Sequence, residues 1–252
     1  MRTVILIGVG AGDPDFITQQ AVKALNRVDV FFLVDKGESK DELISIRREI
    51  CQRFIVGNDY RFVSIDEPPR DRGAAAYEGA VADWLDLRAG LFERAIIEEL
   101  DEDGTGAFLV WGDPTLYDGT IRIIDKLIAR GEVTFEYEVI PGISAIQVLV
   151  ARHRLPLNRI GEPIHITTGR RLAEGIPAGF DNIVVMLDAG FAAAELADAD
   201  RIDVYWGAYL GTDSEVLISG RLSAVAAEIA ERKSALRAAK GWIMDTYLLR
   251  RV

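Results

Sequence analysis

The run Thr3-Val4-Ile5-Leu6-Ile7 shows no polar alternation, and neither does Val30-Phe31-Phe32-Leu33-Val34. Strands written this way are covered on both faces, which points to parallel strands inside an α/β fold. Between them Ile17, Ala21, Ala24 or Leu25, and Val28 recur at helical spacing and predict a helix over 18–28. The three segments make one βαβ unit, with Asp35 at the carboxyl end of its second strand. The pattern continues with a helix over 41–56, a strand over 60–65 and a polar, proline-broken loop over 66–73. A helix over 77–100, a strand over 107–111 and a helix over 120–130 follow, the last with Ile121, Ile124, Leu127 and Ile128 on one face. A strand over 132–140 then delivers the chain to Pro141-Gly142.

Beyond that point the rhythm holds and the punctuation changes. Strands are predicted at 164–167, 182–187, 203–206, 216–219 and 242–247, with helices near 144–151, 190–197 and 223–232. Short strands separated by both helices and turns predict a mixed sheet. The expected organisation is two α/β lobes, 1–141 and 142–252, the first mostly parallel and the second mixed, joined without a low-complexity tether.

Three strand-to-helix junctions carry the chemistry: Gly8-Val9-Gly10-Ala11-Gly12-Asp13-Pro14, Trp111-Gly112-Asp113-Pro114-Thr115-Leu116-Tyr117, and Pro141-Gly142-Ile143-Ser144-Ala145. In an open α/β sheet, ligands bind outside the carboxyl ends of parallel strands, so the three loops can serve one small molecule. The first loop resembles a dinucleotide fingerprint, but a pyrophosphate needs free N–H groups and positive potential, whereas this loop offers Asp13 and Pro14, which has no N–H. Two like charges at ~4 Å repel by about 4 kcal/mol at an effective dielectric of ~20. A P-loop is excluded as well, because no Gly-Lys-Ser/Thr occurs there. A zwitterionic sulfonium such as S-adenosylmethionine reverses the objection: loop carbonyls and Asp113 can oppose its positive groups while glycine N–H groups take its carboxylate.

Composition narrows the field further. No apolar run approaches the ~18–20 residues of a membrane span, and the N-terminus enters a strand directly, without the segments of a signal peptide, so a cytoplasmic protein is expected. Cys51 is the only cysteine, and His153 and His165 are the only histidines, so no metal site is expected. A net charge of −11 disfavours nucleic acid. Of the 29 basic residues 23 are Arg, whose planar fork suits carboxylates and phosphates.

At these motifs the chain resembles the tetrapyrrole (corrin/porphyrin) methyltransferases, over residues 4–222. The resemblance rests on the N-terminal Gly-x-Gly-x-Gly-Asp-Pro, the central Gly-Asp-Pro-x-x-Tyr and the Pro-Gly-Ile-Ser turn. It implies two α/β lobes with a cleft between them, a homodimer, S-adenosylmethionine as cofactor with S-adenosylhomocysteine as product, and a polycarboxylate tetrapyrrole as substrate. The cofactor positions it implies are Pro14 in the first loop, Gly112, Asp113 and Leu116 in the second, Ser144 and Ala145 in the third, and Met186 and Ala208 farther on. The stretches Phe108–Asp118, Leu157–Gly161, Thr167–Leu172 and Trp206–Thr212 look like the family's deacetylating members. That likeness implies methylation of precorrin-5 at C1 with loss of acetate. The sequence departs from the uroporphyrinogen methylases, with Trp111 in place of the first of two glycines before Asp113.

In-line methyl transfer needs alignment more than a base. Acetyl loss needs water added to a carbonyl, for which Asp13, Asp35 and Tyr117 are candidates because each lies at or near a strand's carboxyl end. Substrate carboxylates call for local cations, and Lys36, Arg70, Arg72, Arg88, Arg170 and Arg171 are the candidates. His153, between two arginines, reads as structural. The alternatives are a precorrin methylase acting at another ring carbon, a diphthine synthase-like protein methylase, an RNA methylase disfavoured by charge, and a nucleotide-sensing module without chemistry.

Overall fold

In the computed structural model β1 (Arg2–Gly8) is fully enclosed from Val4 onward, and the reason lies in what covers its two faces. The structure describes residues 1–35, 41–57, 59–66, 68 and 77–252. These divide into one unit of Met1–Gly10 with Pro14–Ile143 and another of Ala11–Asp13 with Ser144–Val252.

In the first unit, β1 lies between β4 (Thr105–Val110) and β5 (Phe135–Ile140), while β2 (Val30–Asp35) and β3 (Arg61–Asp66) extend the sheet beyond β4. Every pairing is parallel. Val4, Leu6, Phe32 and Phe108 share a core with Phe92 and Ile96 of α3 (Tyr77–Glu99) and Ile123 and Leu127 of α4 (Thr120–Arg130). The alternate residues Ile5, Ile7 and Phe31 share a second core with Ala21 and Leu25 of α1 (Gln19–Leu25) and Ile50 and Cys51 of α2 (Asp41–Phe54). Helices on both faces account for the continuous apolar runs, each large side chain contributing ~1.5–3 kcal/mol on burial. Phe92 stacks on Phe108 with centroids 4.4 Å apart.

The second unit holds the expected mixed sheet. Its strands are β6 (His165–Thr168), β7 (Asn182–Met186), β8 (Ile202–Ala208), β9 (Val216–Arg221) and β10 (Asp245–Arg251), in the order β6-β7-β10-β8-β9. Only β6 and β7 pair in parallel. The carboxyl ends of β6, β7 and β8 therefore share one edge, where β10 begins. Helices α5 (Ala145–His153), α6 (Gly169–Leu172) and α7 (Leu222–Lys240) complete the unit.

Three expectations are corrected here. The last strand runs over 245–251 rather than 242–247: Gly241 ends α7 at φ 74, and Trp242 packs edge-on against Tyr209 at 5.0 Å. The charged ending Arg250-Arg251 still pairs in the sheet, because Arg250 bonds the Asn182 side chain and Arg251 reaches Asp198. The segment near 190–197 is only a 3-10 turn, Ala192–Glu195, since Asp188 takes the N–H groups of Gly190, Phe191 and Ala192 and starts the turn from outside. Helix α7 continues to Lys240, well past 232, and buries Lys233 on the way.

Candidate functional site

The order β4-β1-β5 brings the three glycine-bearing junctions side by side at the carboxyl edge of the first sheet. Gly10 and Gly112 exchange backbone hydrogen bonds, Gly112 N–H to Gly10 O at 2.9 Å and the reverse at 3.3 Å. Gly142 presses into the same spot: a Cβ there would lie 2.0 Å from Gly112 O and 2.8 Å from the Gly8 carbonyl carbon. Glycine is required at this three-way contact because three backbones meet with no room for a side chain.

Asp113 locks the contact. Its Oδ1 accepts from Thr115 N–H at 2.8 Å and from the Thr115 hydroxyl, and its Oδ2 accepts from Gly142 N–H at 2.9 Å. Burial opposes ionisation of the carboxyl, but the Thr115 hydroxyl and the two N–H donors outweigh it and hold Asp113 below its ordinary 3.8. The carboxylate read in the sequence as a counter-charge for a ligand is thus first a brace between the second and third loops. Oδ2 keeps an open acceptor site. Asp113→Asn turns an amide toward Gly142 N–H or gives up that bond. The expected cost is about 1.5 kcal/mol, the low end for charged hydrogen bonds because the group is only part-buried. With its lowered pKa, Asp113 stabilises the wild type above the unfolded value, and that stability is lost as pH falls through the folded value. The gap between wild type and variant in thermal unfolding should therefore shrink in acid, and a pH-independent gap would remove the carboxylate from this role.

The same loop carries Leu116, part-buried, and Tyr117, exposed and held at φ 52. A non-glycine residue in the left-handed region is strained, and such strain gathers where geometry is imposed by function. Partial desolvation raises the Tyr117 phenol above 10.0. Pro14 opens a short 3-10 turn, Pro14–Phe16, after the first loop.

In the second unit, Met186 and Ala208 end β7 and β8 at the common edge, facing Thr246 and Asp245 of β10 in register. Each is followed by a strained residue, Leu187 at φ 52 and Tyr209 at φ 49. Gly12 belongs to this unit and lies against the loop after β8, where a Cβ would come 2.4 Å from Leu210 O. Ser144 caps α5, accepting from Ile146 N–H at 3.2 Å while Gln147 Oε1 accepts from Ser144 N–H at 3.0 Å, and Ala145 is the first helical residue. His153 is structural as read: Nε2 contacts Trp206 O at 3.0 Å, and burial lowers its pKa.

Among the candidate acids, Asp13 follows β1 in the second unit and Asp35 closes β2 beside Asp66. The basic candidates divide between the two units and the residues outside the description. Lys36, Arg70 and Arg72 lie outside the described residues. Arg88 is 6% exposed on α3, with its guanidinium 4.7 Å from the Trp84 ring and 5.3 Å from the Phe92 ring. Arg170 is exposed on α6, and exposed Arg171 pairs with Glu174 at 3.0 Å.

Two charged residues escaped the sequence reading. Asp188 fixes the loop after Met186 by accepting three N–H groups and the Tyr247 hydroxyl at 2.5 Å, and Gly169 must be glycine to clear its carboxylate. Arg47 of α2 donates Nε–H to Leu109 O near the carboxyl end of β4. Neither carried a motif; Gly169 inside Thr-Thr-Gly-Arg-Arg was the one trace of the first.

A family model for Tetrapyrrole (Corrin/Porphyrin) Methylases matches residues 3–226, which include the first sheet, all three loops and every strand of the second sheet but β10. The chain belongs to this family. Among curated tetrapyrrole methylases, it is 50% identical over 251 residues to a Precorrin-6A synthase [deacetylating] from Sinorhizobium sp., covering 100% of this chain and 96% of the relative. It is 28% identical over 179 residues to a Precorrin-2 C(20)-methyltransferase from Sinorhizobium sp., covering 68% and 69%. A crystal structure of a cobalamin synthesis related protein (CobF) from Corynebacterium diphtheriae matches with TM-score 0.86 and 41% identity over 100% of this chain and 99% of that one. A uroporphyrin-III C-methyl transferase from Thermus thermophilus, complexed with S-adenyl homocysteine, shares the fold at TM-score 0.58 and 18% identity over 98% and 92%.

Proposed function

We propose that this chain is an S-adenosylmethionine-dependent C-methyltransferase of aerobic cobalamin biosynthesis, converting precorrin-5 to precorrin-6A by methylation at C1 with release of acetate. The observation that carries the reading is identity at half of all positions, along the whole chain, with a relative named as a deacetylating precorrin-6A synthase. It acts in this reading as a cytoplasmic homodimer, in keeping with the family likeness. Among the described residues no helix is long and apolar enough to cross a membrane.

The residues present fit the cofactor. A sulfonium zwitterion needs acceptors for its positive groups and apolar surface for its adenosine. The first unit offers Pro14, Gly112, Leu116 and the ionised Asp113, with Oδ2 still able to accept. The second offers Ser144, Ala145, Met186 and Ala208 on a helix start and two strand ends. S-adenosylmethionine, when bound, would supply the electrophilic methyl. The chain's task is to align the accepting carbon and exclude water, and positioning can supply ~7–11 kcal/mol of the barrier. Deacetylation asks for more: the acetyl carbonyl must be polarised and hydrated before the carbon–carbon bond breaks. Tyr117 is suited to polarise it, since a tyrosine phenol is a proton donor near neutral pH and partial desolvation moves its pKa further up. Asp13 and Asp35 are the proposed bases, and Arg170 and Arg171, with Lys36, Arg70 and Arg72, the proposed partners of substrate carboxylates.

The test is incubation with methyl-labelled S-adenosylmethionine and precorrin-5, with mass spectrometry of the tetrapyrrole and an acetate assay. Label at C1 with equimolar acetate is the expected result; label at another ring carbon overturns the regiochemistry, and no label overturns the function. In the same assay Tyr117→Phe should lower acetate about 10²-fold while methyl incorporation falls much less. Proportional loss of both products would deny Tyr117 a separate hydrolytic role.

A further inference from the structure

The guanidinium of Arg47 is held at the carboxyl edge of the first sheet by two backbone carbonyls, Leu109 O from Nε at 2.9 Å and Leu43 O from one terminal nitrogen at 2.9 Å. Among the described residues no carboxylate lies within ion-pairing distance of it; Asp118, in the loop after β4, acts on it only through space. Asp118 is itself engaged, accepting Thr120 N–H at 2.7 Å where α4 begins. Five N–H donors belong to an arginine, and two are used on the described residues.

Protein crowds this charge enough to lower its pKa to about 10, with Asp118 opposing the shift. The side chain nevertheless keeps part of its surface exposed. A buried cation without a counter-ion is costly unless a ligand supplies the opposite charge. Leu109 is the last residue but one of β4, and the Gly112–Asp113 loop begins just beyond it, so the Nε end of Arg47 is tied next to the glycine junctions of the same unit.

We propose that Arg47 is a specificity-determining anchor that receives a carboxylate of the tetrapyrrole substrate end-on, with its Nε side fixed by Leu109 O. The inference rests on the functional reading above and deepens it, because the exposed arginines cannot set substrate register as a pre-oriented fork can. Fixing the fork in advance removes ordering cost from binding, and a planar bidentate donor matches a carboxylate as a lysine ammonium does not. Carboxylates reach this edge from two sources, the tetrapyrrole and the methionine end of the cofactor, and the experiment separates them.

In the full-length chain, Arg47→Gln and Arg47→Lys are compared with wild type for KM and kcat with precorrin-5, for cofactor affinity by calorimetry, and for melting temperature. The expected result for Arg47→Gln is a KM for precorrin-5 raised about 10- to 100-fold, with kcat and cofactor affinity close to wild type. Arg47→Lys keeps the charge, loses the fork and should fall between; it carries the test if Arg47→Gln does not fold. An unchanged KM in a folded variant overturns the proposal. So does weakened cofactor affinity with an unchanged KM for precorrin-5, which assigns Arg47 to the cofactor's carboxylate. A fall in kcat and melting temperature at constant KM also overturns it and leaves Arg47 a purely structural tie. Failure of the wild type to methylate precorrin-5 is a different outcome, since it removes the functional reading itself.

Discussion

Gly142→Ala is expected to lower methyl transfer by roughly 100-fold or more and to lower the melting temperature as well. The added Cβ would stand 2.0 Å from Gly112 O and 2.9 Å from Gly8 Cα, so the three loops must separate before it can be accommodated. Overpacking of this kind costs about 1–3 kcal/mol, and displacement of a positioning loop by about 1 Å can cost 10²-fold in rate. The same movement lengthens the bond from Gly142 N–H to Asp113 Oδ2 and frees the second loop from the third. Gly190→Ala is the control, because a Cβ there meets nothing within 4 Å. Calorimetric titration with S-adenosylhomocysteine and steady-state methylation measure the effect; wild-type behaviour of Gly142→Ala would show that the junction is not part of the site.

Lys233→Met should be the most destabilising substitution in the second unit. Lys233 is buried on α7, donating to Asp245 Oδ2 at 2.6 Å and to the Asp188 carbonyl, while Trp206 Nε1 donates to the same Asp245 oxygen at 2.8 Å. Removing one partner of a buried pair leaves an uncompensated charge, at about 3–5 kcal/mol. Burial pushes the Asp245 carboxyl above 3.8 even with Lys233 opposing the shift, and loss of the ammonium removes that opposition. A raised folded pKa favours the fold below the unfolded value and loses that contribution as pH rises through the folded value. The deficit of the variant relative to wild type should therefore be smallest in acid and grow toward neutrality, and Lys233→Met/Asp245→Asn should recover part of it. Denaturant unfolding at several pH values decides the matter: an equal deficit throughout would trace the loss to packing alone.

This buried pair also marks where the sequence misled. Leu248-Leu249-Arg250-Arg251 ends in charge and falls outside the strand expected over 242–247. In the sheet it is the central strand, flanked by β7 and β8, because its two arginines find partners in Asn182 and Asp198 that lie far away along the chain. Helix α7 was read short for a related reason: Lys233 looks like a solvent-side break in an apolar pattern until Asp245 is brought beneath it. The cover over Arg88 is equally illegible, since an arginine on a long helix gives no sign that aromatic rings of its own helix will pack against it.

The sequence by itself determined the architecture of the first unit and the place of its chemistry. Uninterrupted apolar strands can only be satisfied by helices on both faces, and Gly-Asp-Pro and Pro-Gly at strand ends are local signals that need no distant partner to be read. The same locality makes the helix over 120–130 and the family resemblance legible. Only the tertiary structure decided which groups those loops spend on one another. Asp113 reads as a free carboxylate until Gly142, from another strand, donates to it, and Arg47 reads as one arginine among 23 until β4 supplies Leu109 O to hold it. Hydrophobic period and turn chemistry act between near neighbours and are written along the chain; the state of a charge is set by whatever the fold brings around it, and that is written nowhere in one dimension.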